Sequence, residues 1–270
     1  MNIAILGRGL IGGSLEKAAI RAGHAVRIFP GRGAAPDLGS AELVFLAVPP
    51  DAVVPCAARL DAAGAIPPDA RVIDIAGVKS AICREMAEAV RGRPWRFIGG
   101  HPMAGKEKTG YANSCETLFD GASMILVPVS GCEYRLAEED LPVLEPFFRS
   151  LGFGRVVATD AATHDTMIAY TSQLCHLISS AYVREPLAAR HGGFSAGSFR
   201  DMVRVGAPDP EIWTELFLSN REALLPVLGR FRERMDAFDR ALRDGDREAL
   251  LETLRTGVAA KDVIDAERRF

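Results

Sequence analysis

Two stretches of this chain hold residues whose types and spacing could do chemistry. In Gly99-Gly100-His101-Pro102-Met103-Ala104-Gly105 a histidine stands directly before a proline, with glycines on both sides. Proline biases the residue before it toward extended backbone, and glycines let another molecule approach closely. A neutral imidazole presented in this way can serve as a general base near neutral pH. The same stretch fits a turn with an incidental histidine equally well. In the second stretch, Gly7-Arg8-Gly9-Leu10-Ile11-Gly12, the glycines follow an apolar run, Asn2 to Leu6, and precede a helical pattern, Leu15 to Ala22. That context suits the pyrophosphate of a dinucleotide, because the glycines permit a tight turn and the phosphate charge rests on the helix N-terminus. Gly7, Arg8, Gly9, Leu10, Ile11 and Gly12 are therefore candidate cofactor contacts; a glycine-rich turn without ligand is the lesser alternative.

The end of the second strand bears on which cofactor binds. An acid there would accept the adenosine ribose hydroxyls of NAD. Here Phe29 is followed by Pro30-Gly31-Arg32, with no acid until Asp37. Arg32 suits a ribose 2′-phosphate, so NADP is expected ahead of NAD, unless Arg32 is simply a solvated loop residue. Residues 30–41 are also too few for the helix and strand usually found there, which abbreviates the adenosine side.

The elements that must position these groups alternate. Apolar runs at residues 2–6, 26–29, 43–48, 71–74, 96–98, 124–127 and 155–157 read as strands, and helical patterns separate several of them. Beyond about residue 161 no strand is expected. Helical periodicity runs from 161 to 190, a Gly/Ser-rich break follows at 192–198, and Asp209-Pro210 opens a long helix toward Leu242. Asp246 can cap a last helix. The expected architecture is a Rossmann-type doubly wound α/β sheet over residues 1–160, followed by an all-α domain over 161–270.

Composition narrows the function classes. A net charge of −3 gives no reason to expect nucleic acid or an anionic membrane as partner. Five scattered cysteines without a Cys-x-x-Cys pair argue against a metal site and for a reducing compartment. The first strand begins at residue 2, leaving no room for a charged leader, and apolar runs are too short to span a bilayer. A cytoplasmic location is the expectation.

Several segments together resemble the prephenate/arogenate dehydrogenases of tyrosine biosynthesis. They are Gly7 to Leu15, Val44-Phe45-Leu46-Ala47-Val48-Pro49-Pro50, Asp74-Ile75-Ala76-Gly77-Val78-Lys79 and Gly99 to Gly110. His164-Asp165, Ser172-Gln173-Leu174-Cys175-His176, Gly197 to Arg204 and Asp209-Pro210-Glu211-Ile212-Trp213 follow in the same order. The His-Pro-Met-Ala-Gly and Phe-Arg-Asp-x-x-Arg pieces are the specific ones.

The resemblance implies an oxidoreductase acting on a CH–CH group by oxidative decarboxylation, with a helical domain that builds a homodimer. His101 would take the proton of the ring hydroxyl while hydride leaves for the nicotinamide. Arg204 matches the carboxylate-binding arginine, with Arg200 one turn before it as a second candidate. Gln173 and His176, three apart on one helix face, are expected at the substrate, and Lys106 and Glu107 follow the histidine loop closely enough to touch it. Val48, Pro49 and Gly77 are expected beside the cofactor. His164, next to Asp165, is expected only to help start the helix linking the domains, and Trp213 to pack. Two departures stand out. Many members carry serine where this chain has Gly77, so something else must orient His101, with Ser80 one candidate. Gln173 replaces a histidine common in the family.

A β-hydroxyacid dehydrogenase is the nearest alternative, but it needs a lysine on the first helix of the second domain, and this chain has none between 109 and 260. A cofactor-binding sensor without turnover, and a dehydrogenase of an amino analogue of prephenate, complete the alternatives.

Overall fold

The computed structural model describes residues 1–106, 108–129 and 139–267. Seven strands form one sheet in the order β2-β1-β3-β4-β5-β6-β7: β1 (Asn2–Leu6), β2 (Ala25–Phe29), β3 (Leu43–Leu46), β4 (Arg71–Asp74), β5 (Arg96–Pro102), β6 (Ser123–Pro128) and β7 (Arg155–Ala158). All pairs are parallel except β5 with β6. The parallel strands are continuous apolar runs because helices cover both faces; Ala4, Ile5, Leu6, Leu43, Val44 and Leu46 are fully buried. One face packs under α2 (Pro50–Ala62) and α3 (Ser80–Ala89), the other under α1 (Leu10–Arg21) and α4 (Leu141–Ser150).

Strand order reverses at β1, which has β2 on one side and β3 on the other. In such sheets, ligands bind beyond the carboxyl ends of the strands flanking that point. No helix or strand lies between β2 and β3, so the second strand leads straight to the third through a loop. The short stretch expected at 30–41 is this loop.

His101 departs from its expected setting. It lies within β5, paired with Ile125 of β6, rather than in a loop beyond the strand. The antiparallel partner extends β5 through Pro102, and Gly100 lets both neighbouring strands close in: a Cβ there would fall 2.4 Å from the Asp74 carbonyl oxygen of β4 and 2.8 Å from Met124 Cε of β6.

After β7 the chain is helical. Asp160 caps α5 (Ala161–Ile168) by accepting from Thr163 N at 2.8 Å. A π-helical turn at Ala169–Gln173 leads into α6 (Leu174–Tyr182), followed by a 3₁₀ turn at Pro186–Arg190 and α7 (Gly197–Val203). α8 (Pro210–Ser219) starts at the capping residue Asp209, as expected, but stops at Asn220 instead of running to Leu242. Asn220 leaves helical geometry and its buried side chain donates to Asp165 O at 2.9 Å and Gln173 Oε1 at 2.8 Å.

Two compact units result, Met1–Asn220 and Arg221–Phe270. The helices α5 to α8 thus group with the sheet. In the second unit α9 (Arg221–Asp244) turns at Gly245, φ +63°, into α10 (Arg247–Glu267), which Asp246 caps through Ala249 N at 2.9 Å. This pair leaves Leu225, Leu242, Leu254, Val258 and Val263 more than half exposed.

Candidate active site

The nucleotide loop is built by close backbone contact. Gly7 has φ +117°, and a Cβ there would lie 2.0 Å from the Ala47 carbonyl oxygen. A Cβ on Gly12 would lie 2.1 Å from the Gly7 oxygen, whereas Gly9 faces open space. Gly9 is the N-cap of α1 and supplies no side-chain hydrogen bond, so the first N–H groups of α1, beginning at Leu10 and Ile11, are without a side-chain cap. An open glycine above a helix N-terminus fits a pyrophosphate. Arg8 lies over the Tyr111 ring, 4.7 Å from its centroid, beside the loop.

The adenosine side is pinned against the same loop. Gly7 N donates to Phe29 O at 2.9 Å, and a Cβ on Gly31 would meet Val48 Cγ1 at 2.6 Å. Arg59, from α2, donates to Gly31 O at 3.2 Å. Arg32, the next residue, is exposed. Pro49 is the N-cap of α2.

Below β5 lies a buried polar network. Lys79 and Asp74, both fully buried, form an ion pair. Asp74 also accepts from Ala76 N at 2.9 Å and Gly100 N at 3.2 Å, tying the β4 turn to the strand that carries His101. Asp165 reaches across from α5 and accepts from the N–H groups of Lys79 and Ser80, each at 2.8 Å. Its carboxylate therefore caps α3, where the helix dipole favours negative charge. Burial raises its pKa, but hydrogen bonds from His164, Ser80 and Lys79 outweigh that and hold it below the usual carboxylate range.

His164 stands between Asp165 and His101. Its Nδ1 is 2.7 Å from Asp165 Oδ1 and its Nε2 is 2.9 Å from His101 Nδ1. The expectation that His164 only helps start a helix was too narrow: it is buried against the histidine of β5. Ser80 does not reach His101; its hydroxyl donates to Ala161 O at 3.2 Å. Gly77 lies beside the other edge of the His101 ring, where an added Cβ would be 3.8 Å from Nε2. His101 is pushed down to about 3, by burial first, then by His164 and Lys79, with Asp165 opposing.

A cleft of about 370 Å³ is lined by Lys106, Thr109, His176, Arg204 and Trp213, among others. The His176 ring packs 3.6 Å, centroid to centroid, from Trp213, and its Nδ1 is 3.1 Å from Val205 O. That carbonyl can only accept, so Nδ1 carries a proton and Nε2 remains for another partner. Arg204 is exposed at the cleft wall, while Arg200 is exposed outside its lining. Lys106 sits 3.1 Å from Cys115 Sγ. Gln173 is not at this cleft: it is buried, donating to Leu216 O at 3.0 Å and accepting from Asn220. Glu107 falls outside the described residues.

Two family models match the chain: the prephenate dehydrogenase nucleotide-binding domain over residues 8–138 and the prephenate dehydrogenase dimerization domain over residues 160–256. The chain belongs to the prephenate dehydrogenase family. A member from Zymomonas mobilis, a cyclohexadienyl dehydrogenase, is 29% identical over 96% of this chain and 94% of its own length. Among solved structures, Synechocystis arogenate dehydrogenase superposes with a TM-score of 0.79 at 27% identity, covering 98% of this chain and all of that one. Aquifex aeolicus prephenate dehydrogenase, solved with hydroxyphenyl propionate and NAD+, shares the fold at TM-score 0.78 and 23% identity, over 97% of this chain and 98% of its own.

Within that family frame, the residues that sequence reasoning missed are His164 as a neighbour of His101, Trp213 as a cleft wall, and Arg59 as the anchor of the adenosine loop. An adjacent His-Asp pair was a visible signal. Nothing in the order of residues says that it meets a strand 63 positions earlier.

Proposed function

We propose that this protein is an NAD(P)-dependent dehydrogenase that oxidatively decarboxylates prephenate or arogenate. The observation that carries the reading is the half-buried, neutral His101 at the end of β5, on a sheet whose switch point bears an open glycine loop. A nicotinamide dinucleotide bound there supplies the hydride acceptor. Gly7, Gly9 and Gly12 would hold its pyrophosphate, with Arg8, Val48, Pro49 and Gly77 around it.

The chain's own groups perform the remaining work. His101 Nε2 accepts the hydroxyl proton at ring C4 as the C4 hydride departs and the carbonyl forms. A base of such low pKa is sufficient because hydride loss makes that hydroxyl strongly acidic. The ring carboxylate then leaves as CO2; its bonding electrons complete the aromatic ring and turn the C4 carbonyl into a phenolate oxygen, which takes a proton back. Arg204 holds a substrate carboxylate through its planar fork, and Lys106 adds positive charge to the same cleft. Trp213 packs against His176, whose Nε2 would be left to meet the substrate because Nδ1 is taken by Val205 O.

For the cofactor, Arg32 supports a preference for NADP, since an exposed guanidinium just beyond β2 suits a 2′-phosphate. The domain division near residue 160, with a homodimer built through the helical part, accompanies this reading. The deciding experiment is reduction of NAD and of NADP with prephenate and with arogenate. Turnover in at least one of the four combinations is expected; none in any of them overturns the reading.

A further inference from the structure

We propose that His164 and Asp165 act as a positioning pair that fixes the tautomer of His101 and leaves its Nε2 bare toward Gly77. The inference rests on the reading of His101 as proton acceptor, and it answers what orients that ring where many relatives use a serine.

The direction of each hydrogen bond follows from what can donate. Asp165 is held ionised and accepts two backbone N–H groups, so it has no proton to give His164. The proton between them therefore belongs to His164 Nδ1. With a single proton on the His164 ring, Nε2 is a lone-pair acceptor. The 2.9 Å contact with His101 Nδ1 is then satisfied only if His101 donates. A neutral His101 that carries its proton on Nδ1 has a bare Nε2, and the atom nearest an added Gly77 Cβ after Leu216 is that Nε2, at 3.8 Å.

The pair also supports the reacting state. When Nε2 takes a proton, the Nδ1–H bond to His164 is kept, and the Asp165 carboxylate lies one ring away. The charged groups facing His101 are Lys79 from the turn before α3, its partner Asp74 on β4, and Asp165 from α5. Because His164 and Asp165 are buried at 2% and 3% exposure, water does not substitute for them. They touch neither substrate nor cofactor in this scheme.

The test combines a spectroscopic readout with kinetics. With ¹⁵N-labelled histidine, and His101→Gln to assign the signals, the wild-type protein is expected to show His101 protonated at Nδ1 and unprotonated at Nε2. The opposite tautomer overturns the proposal whether or not turnover is found, which separates it from failure of the activity reading. In kinetics, His164→Phe fills the space without an acceptor, whereas His164→Gln keeps an oxygen that can accept from Nδ1–H. The Phe variant is expected to lose about 10²- to 10³-fold in kcat, a share of what a misoriented base costs, with KM for substrate and dinucleotide changed by less than about threefold. The Gln variant should recover at least tenfold of that loss, on the order of 1.4 kcal/mol in barrier. Equal kcat in wild type and a folded Phe variant overturns the proposal. If the Phe variant does not fold, the tautomer assignment and the Gln variant decide it: a Gln variant with His101 protonated at Nε2 yet full kcat is equally fatal.

Discussion

His101 Nδ1 and His164 Nε2 lie 2.9 Å apart although 63 residues separate them, and this contact joins β5 to α5, the helix that follows β7. The two rings, with centroids 5.1 Å apart and tilted by 59°, meet edge to edge and not as a stack. The arrangement is that of a hydrogen bond. It makes a residue of the helical segment part of the setting of His101 on the sheet.

Proton transfer should depend on His101 and binding on Arg204. His101→Ala is expected to lower kcat by about 10²- to 10⁴-fold, the usual range for a positioned base, with dinucleotide affinity nearly unchanged. Arg204→Ala removes a charge-assisted hydrogen bond of about 1.5–3 kcal/mol and should raise substrate KM by about 10- to 100-fold. Steady-state kinetics with dinucleotide titrated by fluorescence separates the two. Normal turnover in His101→Ala would show that another group takes the proton.

The pH response follows from a histidine held at about 3 by burial, His164 and Lys79. The unfolded ring titrates near 6.5, so between about pH 6.5 and 3 the unfolded chain binds a proton that the folded chain refuses. Stability from this group is present above that window and declines as pH falls through it. Catalysis should show no dependence on the titration of His101 near 6.5, because its ring is already neutral there; burial also holds His176 below the ordinary histidine value. A kcat/KM profile between pH 8 and 5, paired with urea midpoints over the same range, checks both halves.

Cofactor choice should respond to one arginine. Arg32→Ala is expected to raise the NADP dissociation constant by about tenfold or more, the worth of one charged hydrogen bond, while leaving NAD alone. Equal effects on both cofactors in a binding titration would remove the 2′-phosphate assignment. Arg59→Ala should instead weaken both, since it holds the loop through Gly31 O.

Lys79 is a stability residue as much as an electrostatic one. Its ion pair with Asp74 is fully buried, and Lys79→Ala would strand that carboxylate, at a cost of about 3–5 kcal/mol. Gly7→Ala is expected to be comparably damaging, because φ +117° is unfavourable for alanine and its Cβ would overlap Ala47 O. Chemical denaturation of both variants measures this; a shift within about 0.5 kcal/mol, as for an ordinary surface change, would contradict the packing described.

Much was legible in the order of residues, for local reasons. Continuous apolar runs marked the buried parallel strands, Gly7 and Gly12 marked a turn that side chains would block, and Asp209 and Asp246 stood where helices begin. Those signals arise from backbone sterics and period, which act within a few residues. Tertiary structure alone decided the rest. It drew His101 into a strand by giving it an antiparallel partner, turned Gln173 inward onto Leu216 O, and broke the expected long helix where Asn220 bonds Asp165 O. It also brought the His164-Asp165 pair to His101. Each of these depends on which distant polar group a buried side chain meets, and spacing along a chain carries no record of that.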